Sequence, residues 1–395
     1  MVKVNLYIQR LYRIFLLAIS VVLRTFTNVK KGRVIMWSYY GKNYSCNPKA
    51  ITEYLISNDS RYQIFWVFLP GKVPADLPKQ ITPLVFGTLK YLYIVNTSEF
   101  LCTNSRMFLM STSWIKRKGQ KYIMTWHSSM GLKCIEGDAD AKSLGNSYIR
   151  AAKFDSKQCD LILSGSRARS EVIKRAFWYD GEILEKGTPR NDVFFDTIAK
   201  ERSCCKVRDY FNIPEKASII LYAPTFRNSN SLDFYKINWN KIITTFKGKL
   251  HNECYVLVRL HPNLIKNGLD TSELVSYVNT FDATKYNEMQ ELLVASDVLI
   301  TDYSSSMFDF AYINKPVFLY AVDAATYDRD TYFELEKLPF PFSKTQEELE
   351  ENVEGFDMNE YQKKLSFFLE EKICSYEKGN ARQSVYDWMQ KKALK

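Results

Sequence analysis

Two of the three histidines in this 395-residue chain end strand-like runs, where a side chain can reach a bound ligand. His127 follows the apolar run Tyr122–Trp126 and opens a polar turn. His261 ends a second run and is followed by Pro262, which cannot continue a β ladder. Side chains at the carboxyl ends of parallel strands face the crevice where open α/β sheets bind ligands. The two segments therefore predict two α/β halves that face one cleft.

The chemistry available to these two segments is proton transfer and phosphate binding. Near neutral pH a histidine such as His127 can accept a proton from an attacking hydroxyl. Arg259 lies two residues before His261, so both side chains share one face of the strand and can donate to the same phosphate. The alternative is a structural arginine and two ordinary core histidines.

A run of hydroxyl side chains follows another apolar strand. The strand reaches Asp302, and Ser304, Ser305 and Ser306 then lead into a helix that carries Asp309. Free N–H groups at a helix start bind anions, and serine hydroxyls add further donors. A single serine would more often be a helix cap, but three in a row favour phosphate binding.

Two further turns combine a proline with a cation. One contains Pro224, Thr225 and Arg227 after a strand end, and the other is the segment from Gly187 to Arg190. Either segment taken alone is compatible with a simple turn.

Neither a metal centre nor a disulfide framework is predicted. The eight cysteines are scattered and form no Cys-x-x-Cys pattern, which fits a reducing compartment. Asp138 and Asp140 make an Asp-x-Asp pattern, but they follow Gly137 in a predicted loop rather than a strand. We therefore expect no metal ligands and no cofactor.

Composition favours an ordinary globular protein of two domains with anionic partners. The chain is 46% hydrophobic and carries a formal charge of +10. A surplus of cations favours phosphates or an acidic lipid surface. No zinc-finger, homeodomain or RNP pattern occurs, so nucleic acid is not expected as a partner.

The amino terminus carries a short apolar run between basic residues. Ile14–Leu23 is flanked by Arg13 and Arg24, and Lys30 follows. A membrane-spanning helix needs roughly 20 apolar residues, so this run is too short to cross. Two interpretations remain open: a helix that lies in the membrane interface, and a helix packed on the protein's own core.

Alternating strand-like and helix-like stretches predict an α/β fold with parallel sheets. We expect a membrane-associating helix in residues 1–30, a first domain in 31–200, a second in 201–370, and in 371–395 a helix that packs back on the first domain. Asn47 and Pro48 read as the cap and first residue of a helix, and Ile198–Val207 reads as the linker. The predicted strands are Arg33–Ser38, Gln63–Phe68, Glu99–Thr103, Tyr122–Trp126, Leu161–Ser164, Ile183–Lys186, Ser218–Tyr222, Cys254–Arg259, Val298–Thr301 and Pro316–Leu319.

Taken in order, these segments resemble the CDP-glycerol glycerophosphotransferase family of teichoic acid synthesis. The resemblance rests on five motifs: Trp126-His127 with Lys133 downstream, Gly187-x-Pro-Arg-Asn-Asp192, Tyr222-Ala-Pro-Thr-aromatic-Arg227, Arg259-x-His-Pro262, and Ser296-Asp-x-Leu-Ile-Thr-Asp-Tyr-Ser-Ser305 with Phe308-Asp309. It implies a GT-B fold, in which two Rossmann-like lobes face a central cleft. It also implies a metal-independent transfer of polyol phosphate from a CDP-linked donor.

The resemblance also implies roles for individual residues. His127 would be the general base on the acceptor hydroxyl, while Arg259 and His261 would hold the donor diphosphate and offset charge on the CMP leaving group. Asp309 would contact the ribose hydroxyls. The remaining donor-binding side chains would be Pro224, Thr225, Arg227, Asp302, Ser304, Ser305 and Ser306, and the acceptor-side ones Ser128, Lys133 and Arg190.

Three positions depart from the family pattern. Ser128-Ser-Met-Gly131 replaces His-Gly-Thr-Pro, Arg329-Asp-Thr-Tyr332 replaces Arg-Gly-x-Tyr, and Phe226 stands where tryptophan is common. The first two bear on the identity of the acceptor more than on the type of reaction.

We expect a peripheral enzyme on the cytoplasmic face of the cell membrane that uses CDP-glycerol or CDP-ribitol. Its acceptor would be an undecaprenyl-linked glycan, and CMP would be released. Two alternatives stay open: a GT-B sugar transferase that uses a CMP- or UDP-sugar, and a basic binding module without activity.

Overall fold

The computed structural model describes residues 2–107, 114–139, 144–227, 231–261 and 270–394 of the chain, with side chains from residue 14 onward. Pro262 and Asp140, both singled out above, lie outside the described residues. All structural statements below refer to the described part.

The first half of the chain forms a parallel sheet of seven described strands, in the order β3-β2-β1-β4-β5-β6-β7. The strands are β1 Lys30–Trp37, β2 Gln63–Phe68, β3 Ile81–Val85, β4 Ser98–Thr103, β5 Lys121–Met124, β6 Leu161–Ser164 and β7 Glu182–Glu185. We call this sheet and its helices the amino-terminal lobe.

The second half repeats the arrangement with six described strands, in the order β10-β9-β8-β11-β12-β13. They are β8 Ser218–Tyr222, β9 Cys254–Val258, β10 Thr280–Asp282, β11 Val298–Thr301, β12 Val317–Tyr320 and β13 Phe342–Ser343. This is the carboxy-terminal lobe. Two parallel sheets with the same doubly wound order confirm the predicted α/β class with two Rossmann-like lobes.

Helices cover both faces of each sheet. Those in the first half are α1 Val2–Phe26, α2 Cys46–Asn58, α3 Leu89–Thr97, α4 Asn146–Gln158, α5 Arg167–Ala176 and α6 Thr197–Phe211. Those in the second half are α7 Trp239–Leu250, α8 Met289–Ala295, α9 Ser306–Ala311, α10 Gln346–Glu354, α11 Met358–Phe367 and α12 Ala381–Lys392.

The hydrophobic cores on the two faces of each sheet form because successive side chains of a strand point to opposite faces. In β1, Val34 and Met36 pack into one apolar cluster, while Ile35 and Trp37 pack into the cluster on the opposite face of the sheet. All four side chains are fully buried. A parallel sheet buried on both faces needs such continuous apolar strands, which explains why sequence runs of this kind located the central strands.

The chain passes between the lobes twice. Helix α6 leads into the carboxy-terminal lobe, where Val207 and Phe211 join its core. The chain then returns, and α12 packs Val385 and Trp388 against the amino-terminal sheet. The segment expected to be a linker is therefore part of α6, since its apolar side chains have a sheet to cover.

Helix α2 begins earlier than predicted. Ser45 is the residue before its first turn, so Asn47 lies inside the helix and does not cap it. The Asn47 side chain instead reaches across to two other loops, as described below.

Helix α1 lies against the amino-terminal lobe with only part of its apolar surface. Leu16 is buried in the core and Ser20 accepts a hydrogen bond from Asn96 Nδ2 at 3.1 Å. Phe15 and Val22 are 61% and 56% exposed. Within the described residues, no helix combines the length and apolar character needed to cross a membrane.

Candidate active site

The two sheets direct their loops into one cleft. In each sheet the strand order reverses beside the first strand of the lobe, at β1/β4 and at β8/β11. Ligands of open α/β folds bind in the crevice at such points, beyond the carboxyl ends of the strands. The loops after β1, β4 and β5 therefore face those after β8, β9 and β11.

A cavity of about 380 Å³ lies between these loops. Its volume is in the range of roughly 300–1,000 Å³ common for small-molecule sites. It brings together nine of the residues singled out in the sequence: His127, Arg190, Pro224, Arg259, His261, Ser304, Ser305, Ser306 and Asp309.

Five predicted site residues do not line this cavity: Ser128, Lys133, Thr225, Arg227 and Asp302. Each is engaged by other parts of the protein, as the following paragraphs show. Their contact with substrate stays a prediction.

His127 is held in one tautomer. Its Nδ1 lies 3.2 Å from the main-chain oxygen of Asn104, which can only accept, so Nδ1 carries the proton and Nε2 keeps its lone pair. The imidazole stacks on the indole of Trp126 with ring centroids 4.8 Å apart. Burial lowers the pKa of His127 to about 4, and the cations of Arg190 and Arg169 also lower it. The side chain is thus a neutral proton acceptor at physiological pH.

Two asparagines position the loops around His127. Asn104 Oδ1 accepts from the main-chain N–H of Tyr39 at 2.8 Å, while its carbonyl holds His127. Asn47 Nδ2 donates to the carbonyl of Trp126 at 3.0 Å, and its Oδ1 accepts from the N–H of Arg190 at 2.9 Å. Sequence reasoning missed Asn104 and misread Asn47, because both act through partners that are distant in the chain.

Arg169 is a second residue that the sequence did not reveal. Its guanidinium is 1% exposed, lies 6.0 Å from the ring centroid of Trp126, and donates from Nη2 to Ser128 Oγ at 3.1 Å. No carboxylate pairs with it among the described residues, and burial lowers its pKa to about 10. Ser128 therefore helps to hold Arg169 against Trp126, the residue on which His127 stacks.

On the opposite wall, Arg259 presents a cation to the cavity. Its Nη1 donates to the carbonyl of Tyr286 at 2.5 Å. This is the one hydrogen bond that its guanidinium makes to the described residues, so four of its five side-chain N–H donors are available to a ligand. His261 lies alongside, with its ring centroid 5.5 Å from that of Phe226.

The serine turn also faces this space. Ser305 precedes helix α9, and its side chain makes no capping hydrogen bond. Ser304 Oγ accepts from the N–H of Ser306 at 3.3 Å and pairs with its hydroxyl at 2.9 Å. The turn is thereby held rigid beside Arg259 and His261.

Asp309 joins the two lobes and also lines the cavity. One oxygen accepts from Ser129 Oγ at 3.0 Å and from Asn191 Nδ2 at 3.1 Å. The other forms a buried ion pair with Arg190 and accepts from Gln290 Nε2 at 3.3 Å. Four donors occupy the carboxylate in this arrangement, and its expected contact with the ribose hydroxyls stays a prediction.

Arg227 is likewise engaged by carboxylates. Its Nε and Nη2 grip Asp323 at 2.7 and 3.1 Å, and its Nη1 donates to Asp302 at 2.7 Å. Asp302 also accepts from the N–H and hydroxyl of Thr225. This network of ion pairs and hydrogen bonds fixes the loop after β8 and so places Pro224 on the cavity wall.

Lys133 lies where the lobes touch a second time. It forms an isolated bridge with Thr331, and neighbouring hydrogen bonds join Cys134 N to Asp330 O at 2.9 Å and Tyr332 N to Leu132 O at 2.7 Å. Burial lowers the pKa of Lys133 to about 8. The segment that departs from the family pattern, 329–332, thus pairs with the loop that follows His127.

A larger cavity of about 590 Å³ adjoins the first and shares Cys46, Arg190, Glu288 and Gln290 with it. It contains no histidine, and Lys49 spans it to Glu288 at 3.2 Å. The histidines, Arg259 and the serine turn, which could transfer a proton or bind phosphate, line the smaller cavity. Across the described residues, no group of three or more His, Cys, Asp and Glu side chains is placed to hold a metal ion.

Known proteins are similar to this chain over most of its length. The family described as CDP-Glycerol:Poly(glycerophosphate) glycerophosphotransferase matches residues 17–391. The chain is 32% identical to the teichoic acid poly(glycerol phosphate) polymerase of Bacillus subtilis over 90% of its length, but that match spans only 48% of the relative. It is 30% identical to the polymerase of the same name from Bacillus spizizenii, with 90% and 91% of the two chains covered.

A solved structure is similar over nearly the whole chain. A histidine variant of the wall teichoic acid polymerase TagF, soaked with CDPG, superposes with a TM-score of 0.82 at 29% identity, covering 98% of each chain. The two-lobed arrangement is therefore shared with that polymerase.

Proposed function

The chain belongs to the CDP-glycerol:poly(glycerophosphate) glycerophosphotransferase family, and on that premise we propose that it transfers glycerol phosphate, or a related polyol phosphate such as ribitol phosphate, from a CDP-linked donor to a hydroxyl of a lipid-linked glycan. One observation carries the proposal. The neutral His127 faces a cavity whose opposite wall presents Arg259 and the serine turn.

The reaction that fits this arrangement is an in-line displacement at phosphorus. The acceptor oxygen attacks the β-phosphorus of the donor, a new O–P bond forms, and the bond from that phosphorus to the oxygen of CMP breaks. The proton of the attacking hydroxyl goes to Nε2 of His127, and CMP leaves with the electron pair of the broken bond. General-base catalysis of this kind contributes about 10²–10⁴-fold.

Charge on the leaving CMP is offset from the carboxy-terminal lobe. Arg259 supplies a permanent cation with free N–H donors, and Ser304–Ser306 supply hydroxyls held by their own hydrogen bonds. Donors that are fixed before the reaction need no reorganisation as charge develops, which is why such groups accelerate acyl and phosphoryl transfer. Arg227 and Asp302 act indirectly, because they fix the loop beside this wall.

Helix α1 supports a peripheral position at the cytoplasmic face of the membrane. Phe15, Val21, Val22 and Phe26 are 55–82% exposed, although each is a large apolar side chain. Basic residues flank the apolar run within the helix, as expected for a helix that lies at an anionic lipid surface. One stripe of α1 packs on the protein, and we propose that the exposed stripe contacts lipid.

Turnover of defined donors tests the proposal. Purified protein with CDP-glycerol and membranes that carry the lipid-linked acceptor should release CMP and extend the acceptor by one or more glycerol phosphate units. CDP-ribitol, a UDP-sugar and a CMP-sugar form the comparison panel. Release of nucleotide from a sugar donor alone would establish the glycosyltransferase alternative instead.

Two matched histidine variants test the mechanism. His127→Asn should lower kcat by at least about 10²-fold, because the proton acceptor is lost. His251→Asn is the control, since His251 is exposed and lies at the end of α7, away from the cavity. Equal activity of His127→Asn and the wild type would rule out the assigned base.

A further inference from the structure

The loop between β1 and α2 has an unusual backbone for a segment with few glycines. We call residues 38–46 the opening loop. Tyr39, Tyr40 and Cys46 have φ angles of 44°, 58° and 66°, in the left-handed region that side chains with a Cβ rarely adopt. Trp126, across the cavity wall, has φ 51°. Such backbone persists only where the surroundings enforce it, and it concentrates at ligand sites.

Both asparagines that position His127 also hold the opening loop. Asn104 Oδ1 accepts a hydrogen bond from the N–H of Tyr39. Asn47, in the first turn of α2, donates to the carbonyl of Trp126 and accepts from the N–H of Arg190. The loop is therefore fixed relative to His127 and Arg190. Asn43 and Ser45 from this loop line the same cavity as those two residues.

Three polar atoms on this wall have no hydrogen-bond partner in the described part of the chain. They are Asn43 Oδ1, Ser45 Oγ and Arg190 Nε, and all three are buried. Ser45 is the more telling, because it is 3% exposed and precedes helix α2 without capping it. Serine in that position normally accepts from the helix N–H groups. Native proteins rarely bury polar atoms without a partner, so these three atoms are suited to bind a water molecule or a ligand in the cavity.

The chemistry of the three atoms selects the ligand class. Asn43 Oδ1 accepts, Arg190 Nε donates, and the Ser45 hydroxyl does both. The positive charge of Arg190 is already balanced by Asp309. A phosphate has only acceptors to offer and would face the Asn43 oxygen unfavourably, whereas neighbouring hydroxyl groups satisfy all three atoms.

We propose that the opening loop forms a polyol-binding subsite, in which Asn43 Oδ1, Ser45 Oγ and Arg190 Nε take the adjacent hydroxyls of a glycerol unit beside His127. The inference rests on the proposed function and extends it to the recognition of the polyol. A glycerol unit occurs in the CDP-glycerol donor and at the end of an acceptor that already carries glycerol phosphate. Both sources present the same hydroxyl chemistry.

Kinetics of Asn43→Ala, Ser45→Ala and the double variant distinguish these sources. We expect the KM of one substrate to rise about tenfold or more in the double variant, the effect of losing two hydrogen bonds to a bound polyol. A rise for CDP-glycerol assigns the subsite to the donor, and a rise for the acceptor assigns it to the acceptor end. The inhibition constant of CMP should not change, because CMP has no glycerol.

Controls separate this subsite from a general loss of structure. Ser57→Ala removes an exposed serine from α2, the helix that Ser45 precedes. This variant should leave both KM values, kcat and the inhibition constant of CMP unchanged. Ser45→Thr keeps the hydroxyl and should have the same KM as the wild type. If the alanine variants unfold, this variant still tests whether the hydroxyl is needed.

Three results would overturn the inference: both KM values within twofold of the wild type in the double variant, a parallel weakening of CMP inhibition, or a loss confined to kcat. Turnover by the wild type in the same assay reports on the proposed function separately. A wild type that releases CMP, combined with insensitive variants, would remove the subsite and leave the transferase.

Discussion

Arg190 of the amino-terminal lobe and Asp309 of the carboxy-terminal lobe form a buried ion pair across the cleft. The side chains are 8% and 1% exposed, and Asn191, Ser129 and Gln290 complete the hydrogen bonds of the carboxylate. The pair places Arg190 on the cavity wall and ties helix α9, with its serine turn, to the lobe that carries His127. This contact therefore helps to fix the two walls of the cavity relative to each other.

Removal of one partner from this pair should destabilise the protein strongly. Asp309→Ala leaves a buried guanidinium without a counter-charge, a change that costs about 3–5 kcal/mol in comparable buried pairs. We expect a clear fall in the thermal unfolding midpoint, measured by calorimetry. Glu360→Ala, which breaks an exposed pair with Lys364, should have little effect. Equal midpoints for both variants would contradict the assigned role.

The pH dependence of activity should reflect the environment of His127. Its pKa is lowered to about 4, first by burial, with Arg190 and Arg169 as the nearby cations. The histidine is therefore neutral above this pH, and kcat/KM should fall only as pH approaches about 4 rather than 6.5. Any stability that depends on neutral His127 is present above its unfolded pKa of about 6.5 and is lost as pH falls through about 4.

Arg169→Met tests the electrostatic part of this account. Removal of the buried cation should raise the pKa of His127 and move the acidic limb of kcat/KM to higher pH. Arg175→Met is the matched control on the same helix, because Arg175 is exposed and pairs with Asp138. A limb at the same pH in all three proteins would show that Arg169 acts only through packing.

Arg259 should contribute more to turnover than to folding. Arg259→Gln removes the cation but keeps an amide that can donate to the carbonyl of Tyr286. We expect kcat/KM for CDP-glycerol to fall by roughly 10²–10³-fold, as for the loss of a donor that stabilises transition-state charge. Arg259→Lys should retain part of the activity. Steady-state kinetics with an unchanged unfolding midpoint would support this assignment, and unchanged kinetics would refute it.

Gly165 should tolerate no side chain. It follows β6, and a Cβ at this position would lie 2.7 Å from Ser129 Cβ and 2.8 Å from Ser129 Cα. Because Ser129 donates to Asp309, Gly165→Ala should lower both the unfolding midpoint and kcat. Gly248→Ala is the contrasting variant: nothing lies within 4 Å of its Cβ, and alanine stabilises a helix by about 0.5–1 kcal/mol relative to glycine. The two variants should therefore shift the midpoint in opposite directions, and a shift in the same direction would contradict the packing described.

The exposed stripe of α1 should bind anionic lipid. Phe15→Asp with Val22→Asp should reduce cosedimentation with vesicles that contain phosphatidylglycerol, since apolar area is lost and negative charge is added. Val278→Asp alters an equally exposed apolar residue of the other lobe and should leave binding unchanged. Unchanged cosedimentation of the α1 variant would exclude this surface from membrane binding.

The strands that the sequence missed are all at sheet edges. β3 contains Pro83 opposite Trp66, and a proline within a short run argues against a strand unless its missing N–H faces away from the sheet. β10 and β13 have three and two residues, too few for a recognisable pattern. Central strands were found because burial on both faces demands long apolar runs.

Site residues were predictable where function follows from position at a strand end. His127, Arg259, His261 and the serine turn fall into this group and do line the cavity. The partners of Asp309, Asn104 and Arg169 lie tens of residues or more away in the chain, and nothing in the local sequence specifies them. For the same reason the sequence did not reveal the four side chains that donate to Asp309.

The two passages of the chain between the lobes run side by side. Glu377 accepts from Thr188 Oγ1 at 2.5 Å, Asp192 accepts from the N–H of Ala381 at 3.0 Å, and Gly379 is packed so tightly on Phe195 that a Cβ would lie 2.5 Å from the Phe195 Cβ. The two covalent connections between the lobes therefore lie next to each other and would act as one hinge. We therefore expect any widening of the cleft to be a rotation about this hinge, which would separate the bridge between Lys133 and Thr331.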